Sequence, residues 1–475
     1  MTELWQWTAS ELAQGIASGR ISSVEATESA LARMASINPL VNAVVDPLPE
    51  QAMRDAKKAD RALRSGAAIG PLHGVPITIK INVDYGGRAT TNGVVAFKDA
   101  IAPEDSAVVN NLRQAGAVII GRTNTPALSM RRFTSNDLHG ATLNPFKREI
   151  SPGGSSGGAA VATAVGIGAF GHGNDIGGSI RYPAYCCDLY GLRPSVGLIP
   201  NHNPGQKSEP MMVAQIASVQ GPIARSIADI RRAMNAMMVS DPRDVWHVPM
   251  TPIEAGPAHR PCRVAMLAET QDCPADPEVS RAIRQAGAVL AEAGYQVEEV
   301  APPSMQTAAE LWRIVLGNEM RSSLVPIAEK FGDAAIRKNL RNILHGIPEL
   351  DRTEWMLALA SRATLLRKWQ VFFQDYPVVL TANTWCLPML VDHDLREDLH
   401  IDLFYRQVAP NTSLPFLGLP ALAVPMGFAG GTPVGVQVIA GRFQDNLLLA
   451  VGEVLERVTG PRMPIDPLWH GGCDA

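Results

Sequence analysis

Residues 151–191 read SPGGSSGGAAVATAVGIGAFGHGNDIGGSIRYPAYCCDLYG. The stretch holds two glycine-flanked serines, Ser155 inside Gly153-Gly154-Ser155-Ser156-Gly157-Gly158 and Ser179 after Gly177-Gly178. Glycines beside a hydroxyl let the backbone take positive φ and aim successive N–H groups at one centre. Such loops suit an anion or a developing oxyanion. Two textual motifs in the stretch weaken on inspection. Residues 166–171 match G-x-G-x-x-G, but a helix-prone Ala-rich run precedes them where a dinucleotide site needs a strand. Residues 154–158 match G-x-S-x-G, which would make Ser156 an α/β-hydrolase nucleophile. That elbow needs a strand before it and an acid and a histidine after it. Residues 145–152 are polar and proline-bounded, although His393, His400 and His470 are available, so Ser156 is the runner-up.

Working outward, residues 75–81 (VPITIKI) form a short apolar run with Lys80 inside it, the pattern of a buried strand. Lysine is seldom fully buried. Lys80 is either a snorkelling lysine at a strand end or a desolvated one whose lowered pKa makes it a neutral proton acceptor. Around this pair of features, helical and strand patterns alternate. Thr8 with Glu11 and Ser22 with Glu25 fit capping boxes, and the second helix is expected to stop before Asn38-Pro39. Helices are expected over residues 50–64, 106–116, 228–238 and 279–290, and strands over 117–121, 263–267, 377–381, 420–428 and 433–439, with a last helix over 444–458. This rhythm predicts an α/β fold, a single large α/β/α domain around a mixed sheet. No repeat or low-complexity linker divides it. Its expected parts are N-terminal helices (1–65), a catalytic core (66–235), a variable substrate-pocket region (236–405) and C-terminal core strands and helix (406–475). Residues 383–401 read as a lid or mouth loop.

The 475 residues are 46% hydrophobic and 19% charged with a net charge of -4, a globular balance. No long basic run occurs, so nucleic acid and anionic membrane are poor partners and a small molecule is the expected one. The N-terminus lacks the basic start and apolar core of a secretory signal, and the longest small-residue run, 159–171, is too short for the ~20 residues of a membrane span. The six cysteines show no metal-ligand spacing, and adjacent Cys186-Cys187 suit reduced thiols, hence a cytoplasmic location. The ten histidines never fall at metal-ligand spacings, and His73 and His172 read as structural, so no metal or cofactor is expected. What is left is one lysine and two serines on glycine loops. Acyl-bond hydrolysis needs a nucleophile, a base, a leaving-group donor and an oxyanion hole, and these residues can supply all four without histidine.

On these residues the chain resembles the amidase signature family. The family's Gly-Gly-Ser-Ser-Gly-Gly loop and its Asp-x-Gly-Gly-Ser-Ile-Arg, Pro and Cys are matched by residues 153–158 and 175–181, Pro183 and Cys186. Its lysine strand, Gly-Val-Pro-x-x-x-Lys, is matched by residues 74–80. Flanking matches such as Gly121-Arg122-Thr123-Asn124, Gly191-Leu192-Arg193-Pro194 and Gly418-Leu419-Pro420 extend the resemblance over nearly the whole chain, most weakly between about residues 235 and 405. The resemblance implies that Ser179 is the acyl-accepting nucleophile, that Ser155, preceded by a cis peptide bond, relays the proton, and that Lys80 is the neutral base. It also implies an oxyanion hole from the N–H groups of Ile176, Gly177, Gly178 and Ser179, with Met130 bordering the acyl pocket. Asn174 stands where many members carry Thr, and Arg193 where many carry Lys. Arg181 is expected to brace the loop by pairing with Asp175.

The implied activity is hydrolysis of a small amide through a seryl acyl-enzyme to carboxylate plus amine or ammonia. Trp312, Trp355 and Trp385 favour an apolar or aryl substrate. Three alternatives stay open: an amidotransferase subunit acting on charged tRNA with partner subunits, a serine esterase or carbamate hydrolase, and a non-catalytic binding module. A homodimer is also left open.

Overall fold

Short apolar runs punctuated by glycine and proline become strands, and capped amphipathic runs become helices. The computed structural model describes residues 3–253 and 261–470. Eleven strands build one sheet: β1 (Val44–Pro47), β2 (Pro76–Lys80), β3 (Val118–Thr123), β4 (Phe170–Asp175), β5 (Tyr190–Arg193), β6 (Val219–Ala224), β7 (Arg263–Met266), β8 (Gln296–Glu299), β9 (Val378–Ala382), β10 (Ala421–Ala429) and β11 (Thr432–Ala440). Their order is β1-β3-β2-β4-β6-β5-β10-β11-β9-β7-β8. The sheet is mixed: β3, β2 and β4 run parallel, the strands from β4 to β9 pair antiparallel, and β9, β7 and β8 are parallel again.

Side chains alternate between the two sheet faces. Ile119 of β3 packs into one apolar cluster with Leu12, Ile16, Ile230, Ile283 and Leu448, while its neighbours Val118 and Ile120 enter another with Met34, Ala52 and Val161. The fold is therefore α/β, a helix layer on each side of a central sheet. Among the described residues no helix is long and apolar enough to cross a membrane.

The N-terminal helices follow their capping signals. Thr8 caps α1 (Ala9–Ala17) and Ser22 caps α2 (Ser23–Val41), each accepting from the N–H of a glutamate three residues on that reaches back to the cap. One expectation is corrected here, because α2 runs through Pro39 to Val41. Proline in a helix interior costs about 3 kcal/mol. Against this, Val41 is buried, and Asn38 Oδ1 accepts from the N–H groups of Ala43 and Val44 while its Nδ2 donates to the Val44 carbonyl. Asn42, in the left-handed region, then ends the helix by donating to the Asn38 carbonyl.

Two further helices place the chemistry, α3 (Pro49–Arg64) and α4 (Ala107–Gln114) being peripheral to it. α5 (Gly157–Ala164) joins β4 through only residues 165–169, so it runs back along the sheet and its N-terminus lies beside the C-terminal ends of β2 and β4. α6 (Arg181–Cys186) starts just past the turn that follows β4. Because β2 and β4 are parallel neighbours, Lys80 and Asp175, their last residues, open onto one edge of the sheet. In open α/β sheets that edge is where ligands bind. The helix-then-glycine-then-strand order at residues 166–171 also disposes of the dinucleotide motif.

Candidate active site

Lys80 is the centre of the site. Its side chain is fully buried, and Nζ sits 2.6 Å from Ser155 Oγ, 3.1 Å from Ser156 Oγ and 2.7 Å from Asn174 Oδ1. Of the two readings of this lysine, the snorkelling one is excluded. Burial holds its pKa well below the ordinary lysine value, and the nearby Asp175 carboxylate only partly offsets this. Its backbone N–H donates to His172 Nδ1 at 3.4 Å, and His172 Nε2 donates to Gln220 Oε1 at 2.8 Å. Burial lowers the His172 pKa to about 4, so the imidazole is neutral and structural.

The peptide bond between Gly154 and Ser155 is cis, as the resemblance implied. Ser155 and Ser156 are both buried at the entrance to α5. Ser156 bonds Lys80 and the Asn174 backbone, and among the described residues no histidine is its hydrogen-bond partner. The elbow arrangement required for a Ser156 nucleophile is absent there, and no strand leads into it.

After β4 the chain turns sharply through residues 176–180, and Asp175 organises the turn. Its Oδ1 accepts from the Gly178 N–H at 2.8 Å and its Oδ2 from the Ile180 N–H at 3.2 Å. Arg181 makes a buried bidentate pair with the same carboxylate, at 3.0 and 3.1 Å, and Arg193 Nη1 donates to the Asp175 carbonyl at 2.6 Å. Burial alone would raise the Asp175 pKa, but Arg181 and Arg193 outweigh it and hold the carboxyl ionised. Gly178 is at φ +106°, where an added Cβ would also run into Asn411. Only glycine fits there.

Of the four N–H groups that the resemblance implied for an oxyanion hole, one has a partner within the turn. The Gly178 N–H is committed to Asp175, so the turn presents the N–H groups of Ile176, Gly177 and Ser179, which take no backbone acceptor among the described residues. The Gly177 carbonyl is tied down from behind by Arg132 Nη2 at 2.7 Å.

Ser155, Asn174, Ile176 and Ser179 line one open cavity of about 530 Å³. Ser179, Met130 and Ile176 also border a narrower recess of about 60 Å³ closed by Trp312, Phe404 and Tyr405. Met130 and Trp312 both line this recess. Trp355 packs partly buried with its Nε1 donating to the Val315 carbonyl, and Trp385 belongs to the core; neither lines the recess. Phe404 and Tyr405 replace them as aromatic walls, residues the sequence patterns did not single out. The expected mouth loop does reach the site: its Asp394 lines the recess and accepts from Arg131 Nε and Nη2 at 2.8 and 2.7 Å.

Taken together, the arrangement couples a desolvated amine to a hydroxyl and sets a second hydroxyl, in a turn whose N–H groups at Ile176, Gly177 and Ser179 take no backbone acceptor among the described residues, on the same cavity. Comparison with known proteins gives a concordant result. A family model described as Amidase matches residues 25–449. The chain is 42% identical over 462 residues to an indoleacetamide hydrolase of Bradyrhizobium diazoefficiens, covering 96% of this chain and 87% of that protein. It is 33% identical over 490 residues to an acylamidase of Rhodococcus erythropolis, covering 97% and 98%. The crystal structure of a bacterial aryl acylamidase of the amidase signature family superposes with a TM-score of 0.84 at 26% identity, covering 96% of each chain. The chain belongs to the amidase family, hydrolases of carbon–nitrogen bonds in non-peptide amides.

Proposed function

We propose that this amidase hydrolyses small aryl amides through an acyl-enzyme on Ser179. The observation that carries the reading is the buried Lys80, hydrogen-bonded to Ser155 on the cavity that Ser179 also lines. Neutral Lys80 takes the Ser155 hydroxyl proton as Ser155 takes that of Ser179, and Ser179 Oγ adds to the amide carbonyl. Negative charge gathers on the carbonyl oxygen, opposite the N–H groups of Ile176, Gly177 and Ser179. Collapse breaks the C–N bond, the amine or ammonia leaves with the proton returned through Ser155, and water then attacks the ester by the reverse relay to give the carboxylate. Met130 and the recess aromatics take the acyl group. The free buried thiols Cys186 and Cys187 suit a reducing, cytoplasmic setting.

The aryl assignment draws on the Trp312, Phe404 and Tyr405 walls and on the substrate classes named for two of the similar proteins. Its test is a panel of arylacetamides, aliphatic amides, and aryl esters and carbamates of matched acyl groups, with products read by mass spectrometry. The highest kcat/KM is expected for the arylacetamides. Preference for esters, carbamates or aliphatic amides overturns the assignment.

A further inference from the structure

A neutral lysine amine has two hydrogens and one lone pair, so only one of the three oxygens around Lys80 Nζ can face the lone pair. Asn174 decides which. Its Oδ1 has no hydrogen and can only accept, at 2.7 Å from Nζ. The amide is held in that orientation because Asn174 Nδ2 donates to Asn82 Oδ1 at 2.9 Å, Asn82 Nδ2 donates to Ser129 Oγ at 3.0 Å, and Ser129 Oγ donates to Asn92 Oδ1 at 2.6 Å. Thr125 Oγ1 joins this chain at 2.9 Å from Ser129 Oγ.

The same residue also fixes the second acceptor through its backbone. The Asn174 carbonyl accepts the Ser156 hydroxyl at 3.4 Å, and the Asn174 N–H donates to Ser156 Oγ at 3.4 Å. That leaves Ser156 Oγ an acceptor toward Nζ. We propose that Asn174, braced by Asn82, is a positioning residue that holds both N–H bonds of neutral Lys80 and so turns its lone pair onto Ser155 Oγ. The inference rests on the base role proposed for Lys80.

The charged and titratable groups facing Lys80 are Asp175, whose charge is matched by Arg181 and Arg193, and His172, neutral at working pH. All are unchanged in the variants that test the proposal. The measurement is the pH profile of kcat and kcat/KM of the full chain with phenylacetamide. Asn174→Asp places a carboxylate beside Nζ, favours the ammonium, and should move the acid limb up by about one pH unit or more. Asn174→Leu removes an acceptor from the ammonium and frees the amine to rotate. Its acid limb should move to lower pH, with kcat down roughly 10²-fold and KM little changed.

Asn82→Leu should shift the limb in the same direction as Asn174→Leu, which keeps the test open if the latter fails to fold. Acid limbs that coincide with the wild type in these variants overturn the proposal. A Lys80→Met variant with wild-type rate would instead overturn the base reading beneath it.

Discussion

Lys80 is where sequence and chemistry meet most closely. A charge within an apolar strand is costly unless it is paired or neutralised, and this side chain, with three oxygen partners and no direct carboxylate contact, is held toward the neutral amine by burial. The activity should therefore fall as pH drops below the lowered lysine pKa, since protonation removes the acceptor. Lys80→Met is expected to lose on the order of 10³-fold in kcat/KM and to lose the acid limb with it; a pH–rate profile checks both. The lysine and the two serines were legible because unusual residues sit in plain local patterns. Asn174 was legible only as a departure from a family pattern: its partners, Asn82 and Ser156, come from other segments, and a hydrogen-bond direction is set by tertiary placement.

At the scale of elements, the turn between β4 and α6 leaves the N–H groups of Ile176, Gly177 and Ser179 without a backbone acceptor among the described residues, the donors the proposed mechanism uses. Asp175 clamps it from one side, Arg132 from the other, and positive φ at Gly178 makes the bend. Gly178→Ala requires both an unfavourable backbone conformation and displacement of Asn411. It should lower kcat by roughly 10²-fold, the scale of losing one oxyanion donor, while far-ultraviolet circular dichroism stays native. Strand β4 itself escaped the sequence patterns. Its residues, FGHGND, carry little strand propensity, yet its glycines allow close packing of α5: a Cβ on Gly171 would sit 2.9 Å from the Ala159 carbonyl oxygen. Helix α2 shows the opposite error, since proline predicted a stop that buried Val41 and the Asn38 bonds overrode.

Across the whole molecule, the sheet assembles one site from segments far apart in the chain. Lys80, Ser155 and Ser179 come from the parallel strands and loops of one half, whereas Trp312, Asp394, Phe404 and Tyr405 close the recess from the other. The half that carries the lysine and the two serines was readable as motif; the walls were not, because aromatics in helices and irregular connections carry no signal of which face meets the cavity. Joining the C-terminal half to the core also buries ionisable groups. Asp445 accepts from the Ser195 N–H and hydroxyl at 2.9 and 2.6 Å, and burial, partly offset by those bonds, raises its pKa to about 6. A raised folded-state carboxyl stabilises fully below its unfolded value of about 4, and this contribution is lost as pH rises through about 6. In denaturant unfolding, the stability of Asp445→Asn relative to wild type should therefore improve by roughly 2 kcal/mol between pH 4 and pH 8. A pH-independent difference would contradict the raised pKa.

The central claim is that Ser179 bears the acyl group, and covalent labelling tests it most directly. After treatment with a fluorophosphonate, peptide mass spectrometry of the wild-type chain should place a single adduct on Ser179, and Ser179→Ala should take up none. An adduct on Ser156 or Ser155, or undiminished labelling of Ser179→Ala, would contradict the account.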